Sequence, residues 1–244
     1  LRRWRERPAS ALWVVDTHDV QFERHELLFA RSSPRERAAE IAELNRYDRV
    51  VAITDEDRDS FSRVLSHPER LEVVPMGLDL EHWSREQVDP ILSEAPRVLF
   101  YGNLGTPVNQ EAALHLLREL VPPLRRQVPT VSLLLSGADP SPALREAARD
   151  AHAPCEIPGF VADVRPWLRS ARVFALSLRK GSGQRGRVLE VLAMGVPIVA
   201  YPEAIRGLSL RDGEGIRLVD SVEQFVAETA RLLLDPEAAR ELAD

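Results

Sequence analysis

Short apolar runs of strand length recur along the chain, separated by stretches whose apolar residues follow a helical period. Ala11 to Asp16, Arg49 to Thr54 and Leu71 to Val74 are the first runs. Between the first two lies a helical stretch broken near Ser32, Ser33 and Pro34, which resumes from Glu36 to Arg46 with Ala39, Ile41, Ala42 and Leu44 at apolar positions. A second helix is predicted to open at Thr54, where a hydroxyl followed by Asp55, Glu56 and Asp57 suits an N-terminus. Such acids can also ligate a metal, but charge at a helix N-terminus is their commoner use. The order strand, helix, strand, helix, strand over residues 1–75 is half of a doubly wound domain.

Residues 76–95 show weak periodicity and read as an interdomain linker. From residue 96 to 244 the alternation strengthens. Strands are predicted at Arg97 to Tyr101, Thr130 to Ser136, Cys155 to Ile157, Arg172 to Leu178, Pro197 to Ala200 and Ile216 to Val219. Helices are predicted over Asn109 to Arg126, Pro142 to Asp150, Val164 to Ser170, a segment stopped by Gly195 and Pro197, and Val222 to Leu234. Strands alternating with helices imply parallel sheets with both faces covered.

The chain of 244 residues has 44% hydrophobic and 29% charged residues, ordinary for a folded protein. A net charge of -6 supplies no basic field of the kind that binds nucleic acid. Cys155 is the one cysteine, so no internal disulfide forms, which fits a reducing, cytoplasmic setting. No run is long enough to cross a membrane. Leu1 to Pro8 is arginine-rich and contains Trp4; it suits either peripheral contact with anionic lipid at an inner membrane face or the solvated end of a helix. The opening on Leu1 and the helical pattern of Glu237 to Asp244 point to a fragment of something longer.

Ligands in open α/β sheets bind beyond the carboxyl ends of the strands, which gathers Gly102 to Gly105, Gly159-Phe160 and Arg179 to Gly186 on one rim. The last of these is the most informative. Gly181, Gly183 and Gly186 let backbone amides approach a phosphate, while Arg179, Lys180, Arg185 and Arg187 offset its charge; a solvated basic loop is the plainer alternative. Glu190 follows, and a carboxylate there suits a ribose diol or a salt bridge to Arg185 or Arg187. The scattered histidines and single cysteine have no metal-ligand spacing, and neither a Gly-x-Ser-x-Gly elbow nor a Walker loop is present.

The stretch Gly181-Ser-Gly-Gln-Arg-Gly-Arg-Val-Leu-Glu-Val-Leu-Ala-Met-Gly-Val-Pro-Ile-Val-Ala200 resembles the donor-site motif of the group 1 glycosyltransferases (family four), in its Gly-Ser-Gly loop subgroup. The resemblance extends to Phe100 to Asn109, Pro158 to Pro166 and Tyr201 to Leu208. In the first half it includes Val15 to Asp19, Tyr47 to Thr54 and Val74 to Asp79. It implies a GT-B-like α/β fold of two Rossmann-like doubly wound domains, the first (acceptor-side) one incomplete and the second binding a nucleotide-sugar. It also implies retaining, metal-independent sugar transfer without a cofactor, to a small-molecule, lipid-linked or glycan acceptor. Glu190 would hold the ribose, and Gly159, Phe160 and Val161 would lie by the base. Gly181, Ser182 and Gly183 would meet the diphosphate and sugar, with Gly102 and Asn109 nearby and His18 facing the donor sugar. Ser182 stands where many relatives carry a glutamate, and Arg187 where they carry a lysine. A nucleotide-sugar epimerase of the same fold and a catalytically silent nucleotide-binding module are the alternatives.

Overall fold

The computed structural model describes residues 10–29, 33–91, 95–180 and 186–244, which divide into two units at Met76 and Gly77. In the first unit, β1 (Val14–Asp16), β2 (Arg49–Ala52) and β3 (Leu71–Val73) form a parallel sheet in that order. Helices α1 (Gln21–Phe29) and α2 (Pro34–Leu44) connect β1 to β2, and α3 (Asp55–Ser62) connects β2 to β3. The break between α1 and α2 has the expected chemistry: Ser33 accepts a hydrogen bond from the Glu36 amide, and Pro34 takes the first helical position. Thr54 caps α3 by accepting from the Asp57 amide at 3.0 Å.

Register places Val15, Val50 and Leu71 side by side on one face, where they pack with Val20, Phe22, Leu44, Phe61 and Leu65. The opposite face carries exposed Val14, Arg49 and Glu72, the last two ion-paired at 3.1 Å. The expectation of helices on both faces therefore does not hold for the first unit among the described residues. Both connections advance in the same direction across the sheet, and right-handed crossovers of that kind deposit their helices on one side.

The second unit is built on six parallel strands: β4 (Arg97–Tyr101), β5 (Ser132–Ser136), β6 (Cys155–Gly159), β7 (Val173–Leu176), β8 (Ile198–Ala200) and β9 (Ile216–Leu218). Their spatial order is β6-β5-β4-β7-β8-β9. The central strands are buried on both faces, which is why they read as unbroken apolar runs rather than alternating ones. Phe100 of β4 and Phe174 of β7 stack with ring centroids 6.3 Å apart. Pro158 lies on the edge strand β6, the kind of place a residue without an N–H is tolerated.

The helices are α4 (Pro107–His115), α5 (Val121–Gln127), α6 (Pro142–Asp150), α7 (Arg165–Ser170), α8 (Gly186–Ala193), α9 (Val222–Leu234) and α10 (Pro236–Ala243). The single helix expected from Asn109 to Arg126 is α4 and α5 joined by a π turn over Leu116–Leu120, in which the Val121 amide reaches back to the Leu116 carbonyl. Pro122 and Pro123 explain the widening. Neither has an N–H to donate, and their rings crowd the carbonyls one turn back.

Residues 77–91, expected to cross between domains, belong to the second unit. Trp83 and Val88 pack against its core, and the Ile91 amide donates to the Pro166 carbonyl at 3.2 Å. Arg165 donates to the His82 carbonyl at 2.7 Å, and Arg169 to the Val88 carbonyl. A segment held by single anchors and backbone hydrogen bonds has no period to detect.

Candidate nucleotide site

The strand order reverses between β4 and β7. Chains leaving these two neighbours diverge, and the crevice between them is where open sheets of this type place their ligands. Tyr101 and Gly102 end β4 there, and the chain leaving β7 passes through Ser177 to Lys180 and later enters α8, which carries Arg187 and Glu190.

These residues interlock. The Tyr101 hydroxyl donates to Glu190 Oε2 and lies 3.4 Å from the Arg187 carbonyl. In return Arg187 Nη1 donates to the Tyr101 carbonyl at 2.8 Å, with its guanidinium 6.0 Å above the Phe100 ring. Burial pushes the Tyr101 phenol far above its ordinary pKa, and the Glu190 charge and hydrogen bond push it the same way, so it remains a donor. Burial lowers the Arg187 pKa, opposed by Tyr101 and Glu190. Glu190 Oε1 has no hydrogen-bond partner among the described residues. Of the two salt-bridge partners offered as the alternative to a ribose, Arg187 makes no hydrogen bond to Glu190, which accepts from Tyr101 instead, and Arg185 lies outside the described residues. The signal for Tyr101 was faint: an aromatic with a polar tip closing an apolar strand just before a glycine.

A cavity of about 480 Å³ opens beside this lock. Tyr101, Gly102, Ser136 and Gly137 line it from the strand ends, Phe160 to Val164 from the turn after β6, and His82 and Trp83 from the segment before β4. Gly159 has φ +81°, a conformation that favours glycine, and its carbonyl accepts from the Gly137 amide at 2.8 Å. Phe160 is 76% exposed on the cavity rim, a position available for stacking. Asn109, 5% exposed in the first turns of α4, donates to the Asn103 carbonyl at 2.9 Å and leaves its Oδ1 buried without a hydrogen bond. Sequence gives no sign of His82 and Trp83, because they lie in the segment of weak periodicity that reads as a linker.

Arg179 and Lys180 turn elsewhere. Arg179 lies 3.8 Å from Glu119 and 5.3 Å above the Tyr201 ring, and Lys180 Nζ lies 3.7 Å from Glu111. Both line a second cavity along α4 with His115 and Ser177. His115 links this wall together: Nε2 is 3.0 Å from the Tyr201 hydroxyl and Nδ1 3.0 Å from Glu119. These cations are half exposed, and ion pairs of that kind contribute little to stability.

Gly181, Ser182, Gly183 and Arg185 lie outside the described residues, as do Leu1 to Pro8. His18 is exposed just past the carboxyl end of β1, after Thr17, whose hydroxyl donates to the Val51 carbonyl at 2.7 Å. Among the described residues, no group of His, Cys, Asp and Glu could hold a metal ion, and no helix is long and apolar enough to cross a membrane.

Residues 95–235 match the family model described as glycosyl transferases group 1. No curated protein matches the chain in sequence. Among solved structures, TarM of S. aureus superposes with a TM-score of 0.75 at 14% identity, over 96% of this chain and 46% of that one. HepE of Anabaena, in a complex with UDP, gives 0.70 at 16% identity over 94% of this chain and 65% of that one. Sucrose-phosphate synthase of Thermosynechococcus elongatus gives 0.75 at 19% identity over 95% and 61%. This chain thus spans less than two thirds of each of these chains, and at such identities the likeness is one of fold: two Rossmann-like α/β units of the GT-B type. The family model covers more than half of the chain, from just before β4 into the residues after α9, and includes the strand reversal and the helix bearing Glu190. On that match, the protein belongs to the group 1 glycosyltransferases.

Proposed function

We propose that the second unit binds a nucleoside diphosphate sugar and that the protein transfers the sugar to an acceptor hydroxyl with retention, without a metal ion. The observation that carries this reading is the Glu190 carboxylate, held by Tyr101 at the strand reversal, with no second hydrogen bond to it from the other described residues. A carboxylate in that state accepts well from a ribose diol. The adjoining cavity has a glycine turn and an exposed aromatic, Phe160, for a base to lie against, and Val161 beside it.

In this reading the work of the protein is electrostatic. The amides of Gly181 to Gly183 and the cations Arg185 and Arg187 stabilise the diphosphate as the glycosidic bond breaks. Arg179 and Lys180 serve the same charge once a diphosphate competes with Glu119 and Glu111 for them. The acceptor hydroxyl is held beside the departing group and adds on the same face of the sugar. His18 is the first-unit group proposed to meet the donor sugar. UDP is the first nucleotide to test, because the TarM and HepE structures contain it. The acceptor is a small molecule, a lipid-linked sugar or a glycan. A cytoplasmic protein with peripheral membrane contact through its arginine-rich start is the matching location.

The test is a thermal-shift screen of UDP-, GDP-, dTDP- and ADP-sugars on the full-length protein, followed by product analysis. A ligand at a hundred times its Kd stabilises by about 2.7 kcal/mol, raising Tm by several degrees. The expected result is one responsive base class and transfer to an added acceptor. Release of an epimer or free sugar without acceptor indicates epimerisation, and binding without any turnover indicates a silent module; either outcome rejects transfer.

A further inference from the structure

Tyr101 makes three connections at once: its hydroxyl to Glu190 Oε2, its carbonyl to Arg187 Nη1, and its ring to Phe174, with centroids 5.5 Å apart. The backbone of β4 thus fixes the phenol, and the phenol fixes the carboxylate. Glu190 is half-buried on a helix whose neighbouring Val188 and Val191 are fully buried, so the helix itself cannot turn to re-aim it. What remains free is rotation of the Glu190 side chain, and the Tyr101 hydroxyl removes that freedom by occupying one of its two oxygens.

We propose that Tyr101 is the positioning residue that makes this site selective for a ribose bearing free 2′ and 3′ hydroxyls. By holding Oε2, it presents Oε1 alone, in one orientation, to the sugar ring. A freely rotating carboxylate binds a diol or turns to water with little preference, whereas a fixed and partly desolvated one is left unsatisfied when the hydroxyls are missing. Sites that leave a buried polar group unpaired reject the deficient analogue strongly. The inference rests on the reading of Glu190 as the ribose-binding group. The phenol is suited to the task because burial and the Glu190 charge keep it protonated.

The experiment compares Kd for UDP with Kd for 2′,3′-dideoxy-UDP by calorimetry in wild type, Tyr101→Phe, Glu190→Asp and Glu190→Ala, with pyrophosphate as a ligand that has no sugar. GDP and ADP with their dideoxy forms replace the uridine pair if UDP does not bind. Wild type should prefer the ribonucleotide by tenfold or more, and Glu190→Ala should bind both forms alike. Tyr101→Phe keeps the ring and its contact with Phe174, and should lose most of the preference while binding pyrophosphate within twofold of wild type. Glu190→Asp keeps the charge but draws it away from the phenol, and should behave like Tyr101→Phe. Because it also draws the charge back from the ribose, its value is as a veto: a preference that survives in it counts against Tyr101 even if the Phe variant fails to fold. A preference within twofold of wild type in either foldable variant overturns the role of Tyr101. Equal weakening of pyrophosphate and UDP in Tyr101→Phe also overturns it, because that marks a general structural effect. If wild type itself shows no preference, or Glu190→Ala retains it, the ribose reading of Glu190 fails and this inference fails with it.

Discussion

A side-chain carbon on Gly102 would stand 3.0 Å from the guanidinium carbon of Arg187, and closer still to its Nη1. The same carbon would stand 3.0 Å from Asn109 Nδ2. Gly102 is therefore the gap through which the half-buried Arg187 reaches the end of β4. Gly102→Ala has to move Arg187 or Asn109, and overpacking of that kind costs about 1–3 kcal/mol. The expected outcome is a lower urea midpoint together with weaker nucleotide binding. Gly77→Ala is the control: a Cβ there meets nothing within 4 Å, and the variant should unfold like wild type.

Asp57, 8% exposed, leaves its Oδ2 buried without a hydrogen bond. Burial raises its pKa, the Thr54 hydrogen bond opposes the rise, and the charges of Asp19, Glu23 and Glu56 add to it. Burial likewise raises Glu40, against the Gln21 and Phe22 amides that lower it. The folded chain then holds these protons to higher pH than the unfolded chain does. From the ordinary carboxylate range, about pH 4, up to the raised values, stability falls as pH rises. Asp57→Asn removes one of these titrations while keeping the shape. Its unfolding midpoint should change less with pH across that window, and near neutral pH it should be at least as stable as wild type.

Asp235 separates α9 from α10 and caps the latter, its Oδ1 accepting from the amides of Glu237 and Ala238 at 3.0 Å each. Asp235→Ala should cost about 1 kcal/mol and Asp235→Asn much less, as measured by thermal unfolding.

The strand and helix order was legible from apolar runs and caps because those signals are local: the predicted limits of β4, α6 and α9 coincide with the structure. The parallel sheets also followed from the alternation. The π turn was not legible, because it depends on how Pro122 and Pro123 strain a helix that periodicity alone continues. Residues 77–91 read as a linker because Trp83 and Arg85 act through single long-range anchors; Arg85 reaches Gly195, more than a hundred residues away, at 3.4 Å. The basic loop reads as one cluster, since sequence gives cations but not directions. In the structure Arg187 turns under Gly102, while Arg179 and Lys180 turn to acids on α4. Tyr101 was missed for a related reason: its partner Glu190 lies across the sheet reversal, and strand order is not written in the local pattern.

The central claim is that Glu190 in the second unit holds a nucleotide. Its most direct test is calorimetric titration of wild type and Glu190→Ala with UDP, or with the nucleotide that most stabilises the wild-type protein. Losing a hydrogen-bonded charged acceptor should cost about 1.5–3 kcal/mol, a tenfold to hundredfold rise in Kd, with the melting temperature of the free protein little changed. Equal affinity in the two proteins would contradict the account.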